Sequence, residues 1–159
     1  MGVPLEVGMR TEQIQKILPH RYPFSFVDKV LERYNPEGES RKGSKVVALK
    51  NVTINEYFFV GHFPHRPVVP GVILVEVMAQ VGGLAAYREE DPHQSDISIA
   101  RIKKAKFRVP VRPGDTMIIT SEVVYFRQSK VVLESHVEVE GQKVAEAEMM
   151  AFIKELKPQ

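Results

Sequence analysis

Glu76 stands near the start of an almost wholly apolar run, Gly71-Val-Ile-Leu-Val-Glu-Val-Met-Ala-Gln-Val-Gly-Gly-Leu-Ala-Ala-Tyr87. Within it only Glu76 and Gln80 carry a carboxylate or amide, and their spacing of four puts them on one face of a helix, a turn apart. Burial disfavours the charged form of a carboxyl. A glutamate in such a helix is therefore expected to have a raised pKa and to hold a proton near neutrality, as a general acid must. Directly upstream, Gly61-His62-Phe63-Pro64-His65-Arg66-Pro67-Val68-Val69-Pro70-Gly71 sets a histidine in a proline-stiffened segment. Imidazole is the side chain best suited to act as a base near pH 7. Pro70 and Gly71 open the helix, and its first free N–H groups form a site for developing negative charge. An acid, a base and an oxyanion donor thus lie close together. Plainer readings stand beside these: the glutamate pairs with an arginine or caps backbone, and the histidine is simply solvated.

The same residues carry a family resemblance. The Gly-His-Phe-Pro run at 61–64, the Arg66-Pro67 and Pro70-Gly71 pairs, Glu76 fourteen positions after His62, and Ala79-Gln80 resemble the active-site signature of FabZ-type 3-hydroxyacyl-acyl-carrier-protein dehydratases. Leu18-Pro19-His20-Arg21-Tyr22-Pro23-Phe24, Lys106-Phe107-Arg108 and Pro113-Gly114-Asp115 extend the resemblance over most of the chain. It implies His62 and Glu76 as the catalytic pair, the Gly71 N–H as the group holding the thioester oxygen, and a hot-dog fold. It also implies a homodimer in which His62 of one protomer meets Glu76 of the other; dimers of this family often assemble into hexamers. A sister family that also isomerises the double bond carries aspartate at the helix position, where this chain has Glu76. His65 departs from the glycine many relatives have after Phe-Pro, and strains the loop if that position needs positive φ.

Dehydrating a 3-hydroxyacyl thioester has three requirements: a base for the C2 proton, a donor for the enolate-like oxygen, and a proton for the departing C3 hydroxyl. His62, the Gly71 N–H and Glu76 match these in turn; in the alternative scheme His62 performs both proton transfers and Glu76 only orients water. No cofactor is called for. His62, His65 and Glu76 also present themselves as metal ligands, but Pro64 breaks the helical register of a zinc helix and neither a His-Glu-x-x-His motif nor a cysteine pair is present. Gly82-Gly83 lies inside the helix, so it is no phosphate loop and reads instead as a place for close packing against a partner helix.

The most basic stretch, residues 101–112, holds six positive side chains and no acidic one, against a net charge of only +2 for the chain. Its plain reading is a solvated strand face. Its functional reading is a landing surface for the acidic acyl carrier protein, formed by Arg101, Lys103, Lys104, Lys106 and Arg108. Nucleic acid ranks last, because the chain has neither a recognised motif nor strong overall basicity.

The elements that must position these groups read as follows. The 159 residues, 43% hydrophobic and 26% charged, suit a single domain, with residues 1 to about 10 a flexible N-terminus. With no cysteine there is no disulfide framework, and the N-terminus lacks a signal peptide's basic and apolar regions, so a cytoplasmic location without membrane insertion is expected. Thr11 caps a first helix carrying Ile14, Ile17 and Leu18, stopped by Pro19. Phe24 to Tyr34 and Lys45 to Val52 form a hairpin about the turn-like 35–40 segment. After a polar loop at 89–96, strands are expected at about 97–108, 115–127, 130–140 and 143–153. Val131, Leu133, Val137 and Val139 alternate with Glu134, His136, Glu138 and Glu140, so one face is dry and the other wet. The fold class is α+β, an antiparallel sheet wrapped around a long central apolar helix.

Two other functions fit such a fold. A thioesterase would use a helix carboxylate to activate water but would have no use for the Gly-His-Phe-Pro segment, and an acyl-binding scaffold would tolerate losing His62 or Glu76. An acyl tunnel is expected to draw on Ile73 and Val77 with Phe63 and Phe107.

Overall fold

The structure, a computed structural model, describes residues 6–38, 40–88 and 95–155, with the side chains of residues 95, 96 and 155 left aside. Alternating valines, isoleucines and polar residues give six strands: β1 (Lys29–Tyr34), β2 (Lys45–Asn51), β3 (Ser95–Phe107), β4 (Thr116–Arg127), β5 (Lys130–Val139) and β6 (Gln142–Glu155). They form one antiparallel sheet in the order β1-β2-β4-β5-β6-β3. The long helix α2 (Gly71–Ala86) lies against it. The short helix α1 (Thr11–Ile14) comes before β1, and a 3-10 turn at Tyr57–Val60 precedes the His62 segment.

The expected alternation holds. Val131, Leu133 and Val137 are buried while Glu134 and Glu140 are exposed and His136 and Glu138 intermediate, and Ala145, Ala147 and Met149 are buried beside half-buried Glu146 and Glu148. In the β5–β6 turn both Glu140 (φ 51°) and Gly141 (φ 76°) are left-handed, as a tight two-residue hairpin turn requires.

Every residue of α2 from Gln80 to Ala86 is buried, whereas its first turn leaves Val72 exposed. The sheet therefore covers the C-terminal half of the helix and leaves the N-terminal end open, where the chemistry was expected. Gly82 shows how close the contact is. A Cβ there would come within 2.6 Å of a Leu133 methyl and 3.2 Å of the Ser121 hydroxyl, and that hydroxyl hydrogen-bonds Ser135 at 2.6 Å in the buried β4–β5 layer. The Gly82-Gly83 pair thus packs against its own protomer, Gly83 lying beside Leu18 and Ile97, and not against a partner helix.

Three boundaries differ from expectation. Residues 8–10 are tied down: Gly8 N donates to Val30 O (2.8 Å), Val30 N donates to Met9 O (2.9 Å), and Met9 is buried. Residues 1–5, the rest of the expected flexible segment, lie outside the described residues, as do residues 89–94 of the expected polar loop and residue 39 of the expected turn. The N-cap of α1 is Arg10, and the Thr11 hydroxyl instead donates to Val27 O at 3.4 Å. The hairpin strand starts at Lys29 and not near Phe24, because the Phe24–Phe26 backbone is taken up by a side chain of α2, described below.

The centre of the core is Met78, fully buried. Met78→Ala should cost roughly 2–5 kcal/mol, the range for emptying a buried methionine site. Urea unfolding will measure it, and a loss below about 0.5 kcal/mol, the range of ordinary surface changes, would contradict this placement.

Candidate active site

Three segments meet around Glu76. The carboxylate comes from the second turn of α2, His20 from the loop after α1, and Gln80 from the next turn of the helix. Glu76 Oε1 accepts a hydrogen bond from Gln80 Nε2 at 2.8 Å and lies 3.2 Å from His20 Nε2. Gln80, only 2% exposed, is fully engaged: Nε2 also donates to Phe24 O (2.7 Å) and Oε1 accepts from Phe26 N (3.0 Å). These bonds satisfy backbone that would otherwise pair in a strand, which is why β1 begins late.

The expected proton on Glu76 is overturned. Burial does push its carboxyl up, but the hydrogen bonds from His20 and Gln80 and the charge of His20 outweigh that, and its pKa lies below the ordinary carboxylate value. The apolar sequence around Glu76 gave no sign of this, because His20 lies 56 positions away along the chain. Its signal was the Leu18-Pro-His-Arg-Tyr-Pro-Phe24 motif, which by itself assigned no role.

His62 sits at the end of the 3-10 turn, half-buried, with its N–H on Phe58 O (2.9 Å) and its carbonyl accepting from Val68 N (3.1 Å). The loop closes on itself through Arg66 N to Phe63 O (2.9 Å), and Val69 N donates to Val111 O (2.8 Å), which anchors it to the connection between β3 and β4. The His62–Phe63 peptide is cis and the two rings stack with centroids 4.0 Å apart. His62 Nδ1 lies 2.8 Å from Val68 O. A carbonyl only accepts, so Nδ1 carries the hydrogen and the neutral ring presents a bare Nε2. His65 is not among the residues with positive φ, so the departure from glycine there brings no backbone strain.

Gly71 opens α2. Ile73 N and Leu74 N donate to Pro70 O, while nothing among the described residues accepts from the Gly71 N–H. The ring of Phe107 lies 3.2 Å from where a Cβ on Gly71 would be, so a side chain there would press on that ring.

A cavity of about 260 Å³ runs from His20 and Glu76 along α2 past Ala79 and Gly83 to Tyr87, walled by Ile17, Ile97 and Ile99. None of the four residues expected in an acyl tunnel lines this cavity. Ile73 and Val77 face the core on the other side, and Phe63 and Phe107 are exposed near the start of the helix. His62 does not line the cavity that Glu76 lines, so a single chain does not join the two expected catalytic residues.

The basic segment is also modified by its surroundings. Arg101, Lys103, Lys104 and Lys106 are exposed on β3, an edge strand, and Arg108 is exposed just past its end. Lys104 pairs with Glu148 (2.9 Å), Arg108 with Glu146 (2.6 Å), and Lys106 lies 3.9 Å from Glu146. Arg101 and Lys103 make no ion pair among the described residues. Lys104 takes a left-handed φ of 53° in a β-bulge between Lys103 and Lys106, which re-aims this stretch of the edge. Among the described residues no three His, Cys, Asp or Glu side chains are grouped to hold a metal ion, and no helix is long and apolar enough to cross a membrane.

An antiparallel sheet curled over one apolar helix, with a histidine loop feeding the helix start and a carboxylate one turn in, defines a hot-dog protein of the dehydratase class. The family model of the FabA-like domain matches residues 18–148. The chain belongs to the FabA-like family and, within it, to the FabZ type of dehydratase, a hydro-lyase. It is 48% identical over 147 residues to a 3-hydroxyacyl-[acyl-carrier-protein] dehydratase FabZ of Nitratiruptor sp., covering 89% of this chain and 95% of that protein. It is 42% identical over 150 residues to the FabZ of Thiobacillus denitrificans, covering 92% and 99%. A bifunctional LpxC/FabZ enzyme of Chlorobaculum tepidum is 42% identical over 145 residues, which are 91% of this chain and 30% of that longer protein. The fold matches a chain of the dehydratase heterocomplex ApeI:P from Xenorhabdus doucetiae at a TM-score of 0.67 and 13% identity, covering 89% and 90%.

Gln80→Leu tests the Glu76 wiring. It strands the buried Phe26 N–H, at roughly 1–3 kcal/mol, and removes a donor from Glu76. A carboxyl depressed in the fold stabilises it above the unfolded pKa, and that contribution disappears as pH falls through the depressed value. With one donor gone, the contribution should shrink and its loss be complete at a higher pH than in the parent. Urea unfolding across acid pH reads this, and an unchanged acid profile would contradict the donor role.

Proposed function

We propose that the chain removes water from (3R)-3-hydroxyacyl thioesters on acyl carrier protein, giving trans-2-enoyl thioesters in fatty acid elongation. The observation that carries the reading is the hydrogen bond from His62 Nδ1 to Val68 O, which leaves Nε2 as a base at the mouth of a helix whose first N–H has no acceptor among the described residues. Nε2 takes the C2 proton, and the Gly71 N–H holds the thioester oxygen as negative charge builds there. The C3–O bond breaks, and the imidazolium returns its proton to the departing hydroxide, so that water leaves and His62 is regenerated. Glu76, ionised by its donors, accepts a hydrogen bond from the 3-hydroxyl and aims it. This gives the glutamate an orienting role in place of the acid role expected from burial.

The pair is completed between two copies, His62 of one meeting Glu76 of the other. Support comes from the separation of the two residues in one chain, from β3 as an uncovered edge, and from the exposed Val72, Phe63, Ile99, Ile102 and Phe107. The acyl chain would occupy the apolar cavity beyond Glu76. The carrier protein, acidic and bearing its phosphopantetheine arm, would dock on Arg101 and Lys103, the two β3 cations without ion pairs among the described residues.

Hydration of a short enoyl thioester, followed by loss of conjugated absorbance, checks the chemistry. His62→Ala and Glu76→Gln should each lower kcat by on the order of 100 to 10,000 fold, with the oligomer intact and no thiol released. A full rate in either variant sinks the pair, and release of free thiol by the parent favours the thioesterase. For docking, Arg101→Glu with Lys103→Glu should raise KM roughly tenfold for the carrier-bound substrate, as about 1.4 kcal/mol of lost attraction does. It should leave KM for the coenzyme A thioester unchanged, and an equal change with both substrates would argue against this surface.

A further inference from the structure

His20 is the site residue for which the dehydration scheme has no task. Its Nε2 lies 3.2 Å from Glu76 Oε1, and its Nδ1 is buried with no hydrogen-bond partner. Glu76 is thus the ring's one polar engagement among the described residues. The ring is held in place by its backbone: His20 O accepts from Arg21 Nη1 (2.8 Å) and from the Ser25 hydroxyl (3.3 Å), and Ser25 in turn accepts from Gln15 Nε2 (2.9 Å). Since Nε2 faces an acceptor, it is the nitrogen that carries hydrogen in either protonation state. An imidazole left unsatisfied at one nitrogen is costly to bury, and the contact that offsets this cost is the one to Glu76.

The geometry also divides the two oxygens of Glu76. Both donors, His20 Nε2 and Gln80 Nε2, converge on Oε1, which leaves Oε2 for a ligand. We propose that His20 is a positioning residue that acts with Gln80 to lock Oε1, so that Oε2 alone meets the 3-hydroxyl of the substrate. The proposal rests on the reading of Glu76 as an ionised, hydroxyl-orienting group. The other ionisable groups lining this cavity are Lys16, Arg41 and Tyr87, and Arg21 adjoins His20 in the chain; the strands contribute apolar walls such as Ile97, Ile99 and Leu133. Of these groups, His20 holds its ring against the carboxylate.

The experiment compares His20→Ala, His20→Gln and Glu76→Gln in the full-length oligomer. In His20→Ala, kcat for enoyl thioester hydration should fall about tenfold, the kinetic equivalent of one hydrogen bond, while KM changes less than about twofold. His20→Gln, whose amide can donate over a similar reach, should recover most of that loss. NMR of carbon-13-labelled glutamate carboxyls gives a second readout, with the Glu76 signal assigned by its absence in Glu76→Gln. Its titration midpoint should move to higher pH in His20→Ala and return toward the parent value in His20→Gln. An unmoved Glu76 titration, a loss confined to KM, or a glutamine variant as impaired as the alanine one would each overturn the role of His20. If Glu76→Gln keeps the full rate, the reading of Glu76 itself fails instead, so the two failures are distinguishable.

Discussion

The side-chain amide of Gln80 is the contact on which the site depends. With Oε1 on Phe26 N and Nε2 shared between Phe24 O and Glu76, one buried side chain ties the apolar helix to the segment entering β1 and also fixes the carboxylate one turn away. A buried amide has to be satisfied or it costs more than it contributes. Here every bond it makes carries position from the fold to the site. The Phe24–Phe26 segment gives up strand pairing to meet it, and that same segment, running back to His20, brings the second donor to Glu76.

The distribution of burial along α2 separates stability from chemistry. Seven consecutive residues from Gln80 to Ala86 are buried, and at Gly82 the helix comes so close to β4 and β5 that no side chain fits without displacing Leu133. The end before Gln80 is only partly covered and carries the Glu76 carboxylate and the Gly71 N–H, which has no acceptor among the described residues. A helix held at one end can expose the other without fraying, because its exposed first-turn N–H groups have no intrahelical partner in any case.

Much of this was legible in the sequence where period and composition speak directly. The β4, β5 and β6 strands alternate so regularly that their observed bounds fall within two residues of those read from the pattern. The Pro70-Gly71 helix start is equally plain. What was not legible depended on partners distant in the chain. The ionisation of Glu76 is decided by His20, distant in the chain, together with Gln80 a turn away on the helix. The late start of β1 is decided by Gln80, 54 positions from Phe26. Half of the basic appearance of β3 is cancelled by Glu146 and Glu148 on β6, the strand that pairs with it. Local pattern sets which residues share a face, but the electrostatic state of a face is set by what folds onto it.

His20 and His62 make the same point within one residue type. Each ring has one nitrogen committed by the fold, and the commitment is opposite in the two. At His62 it is Nδ1 that donates, to the Val68 carbonyl, so the exposed nitrogen is a lone pair and the ring is available to remove a proton. At His20 it is Nε2 that faces a carboxylate, so the nitrogen pointing into the site is a donor and the ring is unavailable as a base while that contact lasts. The fold thereby leaves one imidazole with an open lone pair and makes the other a hydrogen-bond donor, without any difference in residue type. The sorting groups are a backbone carbonyl six residues along the chain in one case and a helix carboxylate in the other, so neither histidine's task is a property of the histidine alone.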